Sequence, residues 1–275
     1  MMRGLIYLAL LLMWPVTSQA KSVDLPDIRP IETGSTDVFE TLQRLAQADA
    51  ELAERDYLAA KRGYESVLMH DPKLTSARAG LRRSLIALGD ITQAAQLIDD
   101  PNSADALLIR ILSGASETPL DDLKTGLKTH QDPRLWNAMG RLQDKTGDHA
   151  TARQSYAMAG FYDQRVGLAE NNIGHSFLLE QNLDAALEAF TRAVTADPAD
   201  LRFDNNRRRT LVMLGQTKAA LAGLGSNRAA LFLNQAGDHA RQNGETRLAR
   251  FLYQKSLELT PRHHPETARK LDALQ

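Results

Sequence analysis

The chain has 275 residues, no cysteine, a formal net charge of −1 and a hydrophobic content of 43%, with only 5% aromatic residues. The absence of cysteine excludes disulfides, cysteine nucleophiles, thiolate metal sites and lipid attachment through a signal-peptide cysteine. The near-zero charge gives no general attraction to nucleic acid or to an acidic membrane surface.

In chain order, the N-terminus reads first as an export signal. Arg3 is a basic start, Leu5 to Trp14 is an unbroken apolar run, and Ser18-Gln19-Ala20 is a small-x-small cleavage site. The run falls short of the roughly 20 residues that span a bilayer. Residues 1–20 are therefore expected to be removed, so that the mature chain starts at Lys21; an uncleaved anchor is the alternative. In a bacterium this places the mature protein in the periplasm. Residues 21–36, with Pro26, Pro30 and Gly34, read as a flexible leader.

Helical periodicity is expected from Asp37 to the end, with no alternating strand pattern anywhere. Val38, Leu42, Leu45, Ala46 and Leu52 form the first apolar stripe. Tyr57, Ala60, Tyr64, Val67 and Leu68 form the second, which stops at Asp71-Pro72. A second hairpin spans Thr75 to Asp99, turning at Gly89. A degenerate third combines Ala104–Leu112 with Leu120–Leu127. Two clear repeats follow between Trp136 and Pro198. A shortened sixth hairpin runs from Arg202 to Leu224 and a seventh from Asn227 to Thr260. Pro265 to Leu274 is an amphipathic C-terminal capping helix.

The clear repeats carry a recognisable signature. Trp136, Met139-Gly140, Ala152, Tyr156 and Ala159 recur as Ile173-Gly174, Phe177, Ala186, Phe190, Ala193 and Pro198. A third copy has Ala236-Gly237, Ala240, Gly244, Ala249, Tyr253 and Pro261. Gly140 and Gly174 are separated by the period of about 34 residues of the tetratricopeptide repeat (TPR), and the sequence resembles that family. The resemblance implies an all-α helical-hairpin solenoid, a right-handed superhelix of about seven hairpins over 37–275. Mid-helix glycine costs about 1 kcal/mol relative to alanine, which is sensible only where a partner helix needs the space.

In TPR hairpins the first helix lines the concave surface. On it fall Asn137, Asn171, Asn205 and Asn234, with Asn172 and Asn206 beside two of them. One turn later come Arg141, His175 and Arg209, and Arg134 and Arg202 stand one turn before the row. Asparagine offers both donor and acceptor groups to a peptide backbone, and arginine makes charge-assisted bonds to carboxylates. These residues are therefore expected to form one groove for an extended peptide segment with an acidic residue or a C-terminal carboxylate. Asparagine also caps helix starts, but capping does not explain four in-register positions inside helices.

Arg207-Arg208-Arg209 interrupts the pattern, because Arg207 and Arg208 stand at expected core positions. One arginine is expected to face the groove and another to bury its stem and snorkel. There is no phosphate loop, nucleophile elbow or metal-binding helix motif. His263-His264, beside two prolines, reads as a solvated terminal loop. No enzyme activity, cofactor, metal or nucleic-acid partner is expected.

Among exported TPR proteins, the chain resembles the TadD family of the Flp/Tad tight-adherence pilus system. The carrying residues are the signal peptide, Asn171-Asn172-Ile173-Gly174 ending at Asp197-Pro198, and Arg202…Asn205-Asn206…Leu211…Leu214-Gly215. The resemblance implies a scaffold in pilus biogenesis that helps the outer-membrane secretin. The chain departs from lipoprotein-like members in lacking the lipid-accepting cysteine. The competing expectation is a general envelope TPR adaptor for polysaccharide export or cell-wall machinery.

Overall fold

The structure is a computed structural model and describes residues 34–163, 165–260 and 265–274. The expected signal peptide, most of the leader and His263-His264 lie outside the described residues. Everything regular within them is helical, and the helices pair in order into seven hairpins. The pairs are α1 (Gly34–Ala53) with α2 (Tyr57–His70), α3 (Thr75–Leu88) with α4 (Ile91–Ala95), and α5 (Ala104–Leu112) with α6 (Pro119–Gly126). Next come α7 (Pro133–Lys145) with α8 (His149–Asp163), and α9 (Val166–Leu179) with α10 (Leu183–Ala196). The last are α11 (Leu201–Met213) with α12 (Thr217–Leu221), and α13 (Ser226–Gln242) with α14 (Thr246–Leu259); α15 (Pro265–Asp272) follows alone. The first helix opens at Gly34, slightly ahead of the expected Asp37, at the cost of the leader's last residues.

Each hairpin turns through one residue in the left-handed region: Arg55, Gly89, Gly114, Gly147, Gln181, Gly215 and Gly244. Glycine takes this conformation without steric cost, which is why it holds five of the seven places. Side-chain caps then restart the chain. Asp56, Ser103 and Asn182 accept backbone N–H bonds at the starts of α2, α5 and α10, satisfying donors that a helix leaves orphaned.

Packing within hairpins four, five and seven rests on a glycine under an aromatic ring. A Cβ placed on Gly140, Gly174 or Gly237 would lie 2.6, 2.7 or 2.6 Å from the ring of Tyr156, Phe190 or Tyr253. Ala152, Ala186 and Ala249 on the second helices are fully buried. The two tyrosines also donate to Asp144 and Asp238 of their facing helices, at 2.9 and 2.8 Å. Hairpin three reverses the arrangement: Leu107 on α5 fills the space over Gly126 of α6.

Hairpins two and six solve the problem differently. Arg82 and Arg208 stand at the glycine's offset before the left-handed turn residue, and their second helices have only five residues each. No ring from such a short helix reaches back. Instead Arg82 donates to the Leu97 carbonyl at 2.8 Å, and Arg208 donates to the Ala220 and Ala222 carbonyls, the latter at 3.0 Å. A cation at a helix C-terminus satisfies orphan carbonyls and complements the dipole. The arginine triplet therefore does not displace the repeat register. Arg208 is the buried member, Arg207 pairs with Asp204 at 2.6 Å, and Arg209 faces inward.

The C-terminal face is closed as expected. Leu271 and Leu274, in and just after α15, pack on the last apolar cluster, and Thr267 is fully buried. Across the superhelix, Arg55 at the first turn bonds Asp200 at the start of α11, at 3.1 Å. The first and sixth hairpins thus meet around a central cavity.

Candidate functional site

The central cavity has a volume of about 720 Å³, and its wall is drawn mainly from the first helices of the hairpins. Arg134, Asn137, Arg141, Asn172 and Arg202 line it, five of the residues expected in the groove. A second, smaller cavity of about 110 Å³ is lined by His175, Asn206 and Arg209. The expected groove is therefore two adjoining compartments.

An asparagine ladder runs along the boundary between them. Asn172 Nδ2 donates to Asn137 Oδ1 at 2.6 Å, and Asn206 Nδ2 donates to Asn171 Oδ1 at 2.8 Å. Asn206 Nδ2 also lies 3.1 Å from His175 Nε2. Each bond links one hairpin to the next. Asparagines on successive first helices are thus within reach of one another, but they spend part of their capacity on each other. Asn171 is buried by this contact, and Asn205 is exposed outside both cavities.

Two groups of expected residues need correction. Asn234 is not open to a ligand. It is buried under the capping helix, where its amide donates to Thr267 Oγ1 and accepts from Lys270 Nζ at 3.0 Å. The capping helix occupies the place that a peptide would take. Arg134 and Arg202, expected as free carboxylate anchors, are already paired. Arg134 lies 2.6 Å from Asp132 and 2.7 Å from Asp105, and Arg202 Nε donates to Asp200 at 2.9 Å. Asp132 and Asp200 each cap the start of a helix, so the same carboxylates that cap it neutralise the arginines.

Arg141 and Arg209 make no ion pair among the described residues, and they keep their charge for a ligand. His175 is exposed, with Phe190 in edge contact at 5.1 Å. Desolvation, with the Arg209 charge second, lowers its pKa below the ordinary value. The imidazole stays neutral at pH 7.

Sequence reasoning missed Arg83. It is exposed, lines the central cavity and has no ion-pair partner among the described residues. Its signal was available. Arg83, Arg141, His175 and Arg209 each follow directly on Arg82, Gly140, Gly174 and Arg208, the position that packs the hairpin. Extending the row back to hairpin two would have found it. Nothing local marked Arg55 and Asp200, whose contact depends on superhelical closure.

Among the described residues, no group of three His, Asp or Glu side chains could hold a metal ion, and no helix is long and apolar enough to cross a membrane.

A tetratricopeptide-repeat family model matches residues 171–200, the fifth hairpin and its closing turn. A search of curated protein sequences finds no match. Among solved structures, a thermophilic TPR protein of Thermus thermophilus is 18% identical with a TM-score of 0.52, over 62% of this chain and 99% of that one. Human IFIT1, in its dimer with m7Gppp-AAAA, is 16% identical with a TM-score of 0.58, over 85% of this chain and 63% of that one. At such identities the likeness is one of fold. The matched repeat, the hairpin packing and these neighbours together show that the chain has the fold of a tetratricopeptide-repeat helical solenoid, with one repeat matched in sequence at residues 171–200.

Proposed function

We propose that this chain is an exported, non-enzymatic adaptor of the bacterial envelope that holds an extended segment of a partner protein on its inner face. The observation that carries the reading is the central cavity. Asn137 and Asn172 stand in its wall together with Arg141, whose charge no acidic neighbour takes up. Their mutual bond leaves the Asn137 amide N–H groups for a peptide carbonyl, while the arginine takes a carboxylate. The N-terminal export signal and the TadD-like residues of hairpins five and six support a place in Flp/Tad pilus biogenesis, beside the outer-membrane secretin.

One similar structure, human IFIT1, holds a capped oligonucleotide. The cavity here is a poorer match for such a ligand. Asp132 and Asp163 stand in its wall among Leu52, Ile86 and Leu108, and carboxylates beside apolar surface disfavour a continuous run of phosphates.

The test is co-purification from the envelope of the native host, comparing the wild-type chain with Asn137→Ala/Asn172→Ala. Secretin-complex components should be recovered with the former and depleted with the latter. Equal recovery with both would remove the inner face as the binding site, and recovery of cell-wall or polysaccharide-export components alone would favour the general adaptor. N-terminal sequencing of periplasmic protein should start at Lys21.

A further inference from the structure

The wall of the central cavity carries a charge pattern that no part of the scaffold consumes. The position directly after the packing residue is Arg83 in hairpin two, Leu108 in hairpin three and Arg141 in hairpin four. All three line the cavity. Arg83 and Arg141 are exposed, without an ion pair among the described residues, and Leu108 between them is 4% exposed with apolar neighbours Ile86 and Leu112. The pattern along the inner face is cation, apolar, cation.

The arginines at the packing positions and helix starts nearby are neutralised. Arg82, Arg134, Arg202 and Arg208 all have carboxylate partners within 2.6 to 2.9 Å. At the same position in the first and last hairpins stand Asp49 and Asp238, and both are taken: by Tyr64 at 2.6 Å, and by Tyr253 and Lys270 at 2.8 Å each. Against this background, two unpaired arginines facing one cavity mark a site that waits for carboxylates. Guanidinium groups there cost nothing in desolvation until a ligand arrives, and then make strong charge-assisted bonds.

We propose that the cavity binds an extended polypeptide segment with the complementary order acidic, apolar, acidic, its two acidic ends on Arg83 and Arg141 and its apolar middle on the exposed Leu112 beside the buried Leu108. Neighbouring helices pack about 8–10 Å apart, so two hairpin steps separate the cations by on the order of 20 Å. An extended chain covers that in about six residues. The segment therefore needs no free C-terminus. An internal stretch with acidic residues flanking a short apolar run suffices, and the Asn137–Asn172 pair lies beside Arg141 to hold its backbone.

This inference rests on the inner-face reading above, and the test separates the two. Fluorescence anisotropy would follow four labelled probes: a heptapeptide with glutamates at both ends and leucines in the middle, the same peptide with glutamines for glutamates, an all-glutamate heptapeptide, and a 5′-triphosphorylated oligoadenylate. The first should bind at least about tenfold more tightly than the second and weaken with salt. Arg83→Gln/Arg141→Gln should weaken it on the order of 10- to 100-fold, with an unchanged circular dichroism spectrum and melting temperature. Equal binding of the glutamate and glutamine peptides, no binding by either, or undiminished binding to the arginine variant would overturn the proposal. So would preference for the all-glutamate peptide, which denies the apolar step, or for the oligoadenylate, which makes the site a phosphate site. Charge-independent binding that Asn137→Ala/Asn172→Ala abolishes would refute only the charge pattern. Binding of peptides and native partner unchanged by the asparagine variant would refute the inner-face reading itself.

Discussion

Hairpins five and six sit side by side and use opposite chemistry to do the same job. In hairpin five, Gly174 lies beneath the Phe190 ring and Ala186, Ala189 and Ala193 are fully buried, so the two helices close on apolar surface alone. In hairpin six, α12 has five residues and carries no ring, and Arg208 occupies the glycine's place. Its guanidinium bonds two carbonyls at the end of α12, and Asp204 at 2.6 Å balances its charge. Hairpin two repeats the device with Arg82, the Leu97 carbonyl and Asp105. A solenoid repeat can thus lose half of its second helix if a charged side chain replaces the missing apolar contact. The polar version depends on every partner being present, whereas the apolar version depends on volume.

That difference fixes the order of mutational effects. The largest belongs to hairpin two, where the Arg82–Asp105 pair is nearly fully buried, with side chains 11% and 6% exposed. Arg82→Ala would leave Asp105 buried beside Arg134 alone, and breaking such a pair costs about 3–5 kcal/mol. Denaturant unfolding at pH 7 would measure it. The loss should depend on acidity. Burial pushes the Asp105 carboxyl up, but the Arg134 charge and the Arg82 bonds outweigh it and hold the pKa below the ordinary value. A folded-state pKa below the unfolded value of about 3.9 gives stability that is complete above that value and lost as pH falls through the folded one. Wild type and Arg82→Ala should therefore converge in strong acid. A gap that stays constant with pH would show that the arginine acts by packing.

Arg208→Ala comes next. It strips the carbonyls of α12 of their charged donor, at about 1.5–3 kcal/mol. Asp204 keeps Arg207 as a partner, so the loss should be smaller than in hairpin two. Hydrogen exchange at Thr217–Leu221 should rise more than elsewhere, since the guanidinium bonds the carbonyls at the end of α12. Uniform exchange across the chain would mean that hairpin six does not open on its own.

Gly174→Leu probes the apolar alternative. A Cβ there would meet the Phe190 ring at 2.7 Å, and overpacking of this kind costs about 1–3 kcal/mol. Introducing glycine at Arg208 should not rescue hairpin six, because there is no ring to fill the space. An unchanged melting temperature in Gly174→Leu would mean that the helices are not in contact at this point.

The apolar hairpins were legible in the sequence because their logic is local. Gly174 and Phe190 recur at fixed spacing as Gly140 with Tyr156 and Gly237 with Tyr253, and a period is visible without coordinates. The capping helix was legible for the same reason, through its amphipathic face. The polar hairpins were half legible. Arg207 and Arg208 stood out as departures, but the carbonyls that Arg208 bonds are defined only by where α12 stops. The site was legible as a row and misread as a single groove. Asn137, Asn171 and Asn205 recur in register, yet whether an amide is free depends on its neighbour in the next hairpin. Asn234 shows this most clearly: its register puts it on the same face as Asn137, and the capping helix covers that face through Thr267 and Lys270. Arg134 and Arg202 lost their availability to Asp132 and Asp200, two capping residues whose second role only geometry displays.

The smallest expected effect on stability is the one that matters most for function. Asn137 and Asn172 share one bond on the inner face and are only partly buried. Replacing both with alanine deletes the two partners together, so neither is left as an orphan, and no ring or glycine contact changes. Surface changes of this kind stay within about 0.5 kcal/mol, far below the cost expected of Gly174→Leu in the adjoining hairpin. Binding of a partner should respond in the opposite sense. Each lost amide–backbone bond removes about 0.5–1.5 kcal/mol of affinity, so the double variant should bind measurably more weakly while melting like the wild type. Calorimetry on partner peptide and a thermal melt on the same samples would compare the two effects directly. A variant that melts early and binds normally would reverse the assignment. The ladder would then be one more way of joining hairpins, the polar counterpart of the glycine under the ring, and the inner face would no longer be the binding site.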